Sequence, residues 1–251
     1  MGNKKKTRKI LNIPRIIVFL LIIYIIVSLG MYVYKEKVHR YEISGLNYYK
    51  EIDIIRMLEL EDYPVLLSLN RKELKEKLES DPLIISANIK YGLDFSLKIE
   101  IEENTPVLMI KSSKNVVLRD GNQIPYEDRF GALPMLLNNT PTESLVALAE
   151  NLSKVDSGIL YMISEITYTP YNSSNTLLDN NRFLLSMSDK NQVYINAKNC
   201  EWLNEYLNVI ANNRITDAGT FYFDGKSGKM IYKKGKVEDV VTEPVEGEQN
   251  G

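Results

Sequence analysis

Residues 85–102 read ISANIKYGLDFSLKIEIE. Ile85, Ala87, Ile89 and Tyr91 alternate with polar neighbours. After the turn Gly92-Leu93-Asp94, Phe95, Leu97, Ile99 and Ile101 alternate with Ser96, Lys98, Glu100 and Glu102. Period-two patterning means two strands with one dry and one wet face. The acids Glu100, Glu102 and Glu103 crowd the end of the second strand and read as part of that wet face.

The dry face needs a cover, and the residues upstream supply it. Ile52, Ile55 and Leu58 are spaced for one face of a helix over Tyr49–Leu60, which Asp62-Tyr63-Pro64 ends. Asn70-Arg71-Lys72-Glu73 has the pattern of a capping box, in which Asn70 accepts from the N3 amide and Glu73 reaches back. Leu74 and Leu78 follow as the apolar stripe of a second helix, and Asp81-Pro82 stops it. Before the helices, Val38–Ser44 reads as a strand closed by the turn Ser44-Gly45. The order strand, helix, helix, strand, strand predicts a small α+β module: two helices on a three-stranded sheet.

Further upstream, Ile16–Tyr34 (IIVFLLIIYIIVSLGMYVY) carries no charge. At ~1.5 Å per residue it reaches about 30 Å, the thickness of a bilayer's hydrocarbon core. It has no polar face, as a core helix would, and its apolar run continues past Ser28 and Gly30, where a signal peptide would be cut. It therefore reads as an uncleaved transmembrane helix. Lys4, Lys5, Lys6, Arg8, Lys9 and Arg15 precede it without an acid, whereas Lys35, Glu36, Lys37, Arg40 and Glu42 follow with mixed sign. That asymmetry places the N-terminus in the cytoplasm and the bulk outside.

Downstream of Pro106 the chain turns to short strands. Val107–Ile110 and Val116–Arg119 are strand candidates with a turn at Asp120-Gly121. Thr140-Pro141-Thr142-Glu143 reads as a second capping box with Pro at N1, ahead of the stripe Leu145, Leu148, Leu152 and Val155. Ser164–Thr169 is a further strand, and Tyr171–Asn175 is loop-like. Thr176–Leu178, Arg182–Ser186 and Gln192–Ile195 read as successive antiparallel strands. Asn199 is placed to cap a helix carrying Trp202, Leu203, Tyr206, Leu207 and Ile210. Gly219–Phe223 and Lys229–Lys233 form a last hairpin around Asp224–Gly228, and the acidic tail from Gly235 reads as disordered.

Composition excludes several functions. The formal charge is −2 although the first fifteen residues hold six positive charges, so the outer portion is mildly acidic and no nucleic-acid partner is expected. The one cysteine, Cys200, allows no internal disulfide and reads as a core thiol. The one histidine, His39, lies at the membrane exit, far in sequence from Cys200, so neither Ser-His-Asp nor Cys-His chemistry has support. There is no zinc cluster, phosphate loop or calcium loop, and spacing selects no carboxylate pair among 33 acids. Catalytic residues, metal ligands and cofactors are all read as none. What remains is interaction: a sheet edge can take another chain's strand. The last hairpin suits that use. Its candidate partner-binding residues are Thr220, Phe221, Tyr222, Phe223, Ile231 and Tyr232. Phe221 and Phe223 share one face and are alternatively core; Tyr222 and Tyr232 are the better contacts.

A basic arm, one anchor and a βααββ module just beyond the membrane resemble the FtsQ/DivIB family of bacterial cell-division proteins, whose module is a POTRA domain. Ile43-Ser44-Gly45-Leu46, Leu66-Leu67-Ser68-Leu69-Asn70, Asp81-Pro82-Leu83-Ile84 and Glu102-Glu103-Asn104-Thr105-Pro106-Val107 are similar to family features. So are Leu118–Ile124, Leu133–Leu136 and Gly219–Asp224. Asn104 stands where the family usually has Arg, and Gly121 comes earlier than usual.

The resemblance implies a basic arm at 1–15, an anchor at 16–34, a POTRA-like domain at 35–105, a β domain with two flanking helices at 106–234 and a tail at 235–251. It further implies a non-enzymatic scaffold at the division septum that binds FtsB/DivIC-like and FtsL-like single-span proteins and helps regulate septal peptidoglycan synthesis. In the family the POTRA-like module serves recruitment, and the end of the β domain, here Gly219–Lys233, carries partner binding. A membrane-anchored cell-wall hydrolase and a POTRA-type export factor are the alternatives.

Overall fold

The computed structural model describes residues 13–173, 176–224 and 230–235. The basic arm up to Asn12, the turn 225–229 and the acidic tail from Lys236 lie outside the described residues. The chain divides into two compact units, 1–103 and 104–251.

The first unit opens with α1 (Ile13–Lys35), which is long and apolar enough to cross a membrane. β1 (Arg40–Ser44), α2 (Glu51–Met57), α3 (Arg71–Glu79), β2 (Ile84–Tyr91) and β3 (Ser96–Glu103) follow. The sheet order is β1-β3-β2, with β1 parallel and β2 antiparallel to β3. Leu97, Ile99 and Ile101 of β3 are buried with Ile54, Leu58 and Leu78 from the helical side, while Lys98, Glu100 and Glu102 face out. The outer face is a ladder of cross-strand pairs: Lys98–Glu42 at 2.8 Å, Lys90–Glu100 at 3.1 Å, and Ser86 donating to Glu102 at 3.2 Å.

α2 is shorter than its apolar spacing suggests. It starts after Lys50, whose N–H bonds the Asp53 carboxylate. At α3 the Asn70 side chain accepts from Lys72 N, and Glu73 meets the Asn70 amide group rather than its backbone, a one-sided version of the expected box.

Glu103 departs from the wet-face expectation. It is buried, and its carboxylate accepts from the backbone N–H groups of Asn47, Tyr48 and Tyr49 at 2.6, 2.7 and 2.9 Å. The β1–α2 loop therefore needs an anion at the end of β3. Tyr49 extends the link by donating to Asp81, which also accepts from Leu83 N. Gly45 sits at φ +86°, and a Cβ there would lie 1.8 Å from the Ile101 carbonyl oxygen, so only glycine fits this approach.

The second unit runs β4 (Pro106–Ile110), β5 (Asn115–Leu118), β6 (Gln123–Pro125), β7 (Met135–Leu136), α4 (Thr142–Leu152), α5 (Ser157–Leu160) and β8 (Ile163–Tyr168). Then come β9 (Tyr171–Ser173), β10 (Thr176–Asp179), β11 (Arg182–Met187) and β12 (Gln192–Asn196). A 3-10 helix (Ala197–Glu205), α6 (Tyr206–Asn212), β13 (Gly219–Phe223) and β14 (Ile231–Lys234) close it. Among the described residues one sheet has the order β14-β13-β12-β11-β8-β7-β4-β5-β6. Its inner face buries Val107, Ile166, Phe183, Leu185, Val193, Ile195, Phe221 and Phe223 beneath α4, α5 and the 197–212 helices.

Three local expectations shift. Pro141 is the N-cap of α4 rather than N1, and no side chain caps that helix. The cap before Trp202 is Asn196, whose side chain accepts from Lys198 N; Asn199 instead sits at a kink with non-helical backbone. β10 is not a neighbour of β11: it pairs with β9, in the stretch that reads as loop, and β11 takes β8 on that side. Tyr171–Ser173 carries no apolar-polar alternation in its sequence, so it reads as loop.

Candidate partner-binding site

The six candidate residues occupy the last two strands, and the register sorts them by face. β13 is interior: it pairs parallel with β12 and antiparallel with β14. Phe221 and Phe223 are buried on the inner face. Phe221 meets Tyr206 at 5.2 Å and Tyr232 at 4.9 Å between ring centroids, so these rings are core. Thr220 is also buried, and its hydroxyl donates to the Gly235 carbonyl at 3.2 Å. Tyr222 and Ile231 face each other on the outer side, and Ile231 is 56% exposed.

Tyr222 is only half-buried because a row of rings and cations crosses the outer face. Arg182 of β11 lies 3.8 Å from the Tyr194 ring, Tyr194 stacks on Tyr222 at 5.2 Å, and Lys233 lies 5.2 Å from the Tyr222 ring. Such cation–ring contacts contribute roughly 0.5–1 kcal/mol each where exposed. At the inner end of the row, Arg182 Nε donates to Asp224 at 2.6 Å, and both side chains are mostly buried.

Among the described residues β14 is the end of the sheet. Gly235 N donates inward to the Ala218 carbonyl. By alternation the backbone N–H groups of Ile231 and Lys233 also point toward β13, and those of Tyr232 and Lys234 point to the open edge. Beside that edge lies a groove of about 430 Å³ whose lining includes Val209, Ile215, Met230 and Tyr232. Lys234 pairs with Asp217 at 2.9 Å in the same wall. The opposite edge, β6, is short and ends in Pro125, a pattern that discourages strand addition. Sequence reasoning missed Lys234, Met230 and the α6 wall of the groove. No periodicity marks which strand of a hairpin is the outer one.

A polar knot fixes where β13 begins. Asn191 is buried; its amide group donates to Tyr206 Oη at 2.8 Å and to Asp189 at 3.0 Å, and its carbonyl oxygen accepts from Gly219 N at 2.8 Å. Tyr206 in turn donates to Asp189 at 2.8 Å. Burial, then the Asp189 carboxylate, hold the Tyr206 hydroxyl well above the usual tyrosine range.

Cys200 is fully buried, and burial pushes its thiol up to about 12, so it is an inert core residue. His39 is exposed and lies 3.2 Å from Glu36. Among the described residues no group of three or more His, Cys, Asp or Glu could hold a metal ion.

Residues 37–104 match the family model for the POTRA domain, FtsQ-type. With α1 ahead of it, that module defines the class: a single-pass membrane protein carrying one POTRA domain. The cell division protein DivIB of Bacillus subtilis (strain 168) is 26% identical over 193 residues, covering 74% of this chain and 71% of its own. The trans isomer of the major extracytoplasmic domain of DivIB from Geobacillus stearothermophilus is 18% identical over 46% of this chain and 99% of that one, with a TM-score of 0.35. The chain thus carries an FtsQ-type POTRA domain and is similar over most of its length to the cell division protein DivIB.

Proposed function

We propose that the protein is a non-enzymatic scaffold of the division septum. Its N-terminus is cytoplasmic and its bulk extracytoplasmic. The POTRA-like domain, 35–105, serves recruitment, and the β domain, 106–234, holds FtsB/DivIC-like and FtsL-like single-span proteins, through which it helps regulate septal peptidoglycan synthesis. The observation that carries this reading is the edge of β14, open among the described residues, with two outward N–H groups and a groove of mixed apolar and polar lining beside it, in a chain similar to DivIB. An incoming strand would gain main-chain hydrogen bonds there and seat alternate side chains in the groove. Lys233 and Lys234 on the same strand repel a second copy of this edge and suit an acidic partner strand. Confinement by α1 raises the effective concentration of a weak edge contact.

The edge geometry also selects the test. Proline at Tyr222 would break ladder bonds inside the sheet, because β13 is paired on both sides. Lys234→Pro instead removes an outward donor at the open edge and gives up an exposed ion pair with Asp217, while the ladder bonds to β13 remain. Full-length protein with that substitution should keep its thermal transition and lose capture of the FtsB/DivIC-like partner. Capture at wild-type strength would refute the edge.

A further inference from the structure

Three exposed apolar side chains gather around the point where the chain leaves α1. Leu93, at the tip of the β2–β3 turn, is 104% exposed; Tyr63 is 47% and Leu67 45% exposed. Each lies within two residues of a backbone hydrogen bond to the exit segment. His39 N donates to the Phe95 carbonyl, Val38 N to that of Pro64, and Leu66 N to that of Glu36. Lys37 also bridges to Val65. The two connections that carry them, α2–α3 and β2–β3, are therefore tied to residues 36–39, directly after the last residue of α1, Lys35.

We propose that Leu93, Tyr63 and Leu67 dip into the outer interface of the same bilayer that α1 crosses, and so set the tilt of the POTRA domain on the membrane. The proposal rests on the single-pass reading of α1. At ~1.5 Å per residue, the 23 residues of α1 span about 35 Å, slightly more than the ~30 Å hydrocarbon core, which puts Lys35 at headgroup level. Loops bonded to the next four residues lie within the interfacial zone, where an apolar face buries about 5–10 Å deep. Tyr suits that depth, with its ring in the apolar boundary and its hydroxyl in water. Glu61 and Asp62 beside Tyr63 are exposed, and Asp94 beside Leu93 pairs with Arg40 at 3.1 Å. These charges hold the loops at headgroup depth rather than in hydrocarbon. The outer face of the sheet, with Glu42, Lys98, Lys90 and Glu100, is instead a charged ladder.

The buried Cys200 makes the test clean, because an introduced thiol is the one that labels. Full-length Leu93→Cys, Tyr63→Cys and Leu67→Cys proteins are placed in nanodiscs of phosphatidylethanolamine and phosphatidylglycerol and labelled with a small fluorophore. Each is quenched from the lipid by shallow spin-labelled phospholipid or from water by iodide. Ser28→Cys within α1 is the lipid reference. Ser86→Cys, about 20 Å along β2 from the tip at ~3.3 Å per residue, is the water reference. The proposal expects the three loop positions to be quenched from the lipid several-fold more than Ser86→Cys and to be shielded from iodide. Loop positions that match Ser86→Cys overturn it, as do positions shielded from iodide yet untouched by the lipid quencher, which would mean a protein cover. If Ser28→Cys also escapes the lipid quencher, the single-pass reading falls with it; if Ser28→Cys is quenched, only the loop contact fails.

Discussion

Replacing Asn191 by Ala should loosen the start of the last hairpin. The substitution leaves the Gly219 N–H, bonded at 2.8 Å in a buried place, without its acceptor. An orphaned buried donor costs about 1–3 kcal/mol. Tyr206 keeps its bond to Asp189 but loses the Asn191 donor, worth roughly 0.5–1.5 kcal/mol more. The sum is about 2–4 kcal/mol. For a unit of this size, at ~4 °C per kcal/mol, that is a fall in Tm of roughly 8–16 °C. The one tryptophan, Trp202, packs against the core of the second unit, so its fluorescence on heating follows that unit alone. Asn191→Asp preserves the acceptor for Gly219 but cannot donate to Tyr206 or Asp189, and it sets a second carboxylate beside Asp189. It should be destabilising at neutral pH and recover part of the loss when acidified. A Tm within about 2 °C of wild type for Asn191→Ala would refute the knot as the element that fixes β13.

Glu103→Gln should destabilise the POTRA unit by about 2–4 kcal/mol, because an amide cannot serve three N–H donors, and circular dichroism melts would show the first transition move while Trp202 reports no change. Gly219→Ala would set a Cβ 2.5 Å from both the Lys233 carbonyl oxygen and the Tyr232 ring; it should cost about 1–3 kcal/mol by prising β14 off, and partner capture should fall before the core melts. At alkaline pH the sign follows from burial. The native Cys200 thiol, pushed up to about 12 by burial, keeps its proton where the unfolded thiol loses it, so this stability is full below the ordinary thiol range and is lost as pH rises toward 12. Urea melts between pH 8 and 11 should show this decline, and Cys200→Ala should make it shallower. A thiol reagent should leave native protein unmodified and react once it is unfolded.

The POTRA sheet was legible because Ala87–Tyr91 and Leu97–Ile101 each alternate cleanly on either side of the turn, and that pattern leaves one choice of buried face. The anchor was legible from the lack of charge alone. Glu103 was not, since its neighbours Glu100 and Glu102 are solvated and nothing local distinguishes a carboxylate aimed at a distant loop. The same limit hid the cap at Asn196 and the pairing of β9 with β10. In the last hairpin the alternation separates Phe221 and Phe223 from Tyr222, but strand order across the sheet is a long-range property. It takes the parallel crossover from β12 through the 197–212 helices to put β13 inside and β14 at the edge.

That crossover also bears on biogenesis. The strand that completes the second core is made late, since Phe221 and Phe223 enter a sheet whose other members, β14 apart, precede them in the chain. The POTRA unit closes its own sheet at Glu103 and can be folded while residues 104–251 are still being translated, a lag of roughly 7–30 s at ~5–20 residues per second. The second unit has no such head start. Until Phe223 emerges, β12 is an uncovered edge carrying Val193 and Ile195, and a chain stalled there would present an adhesive strand.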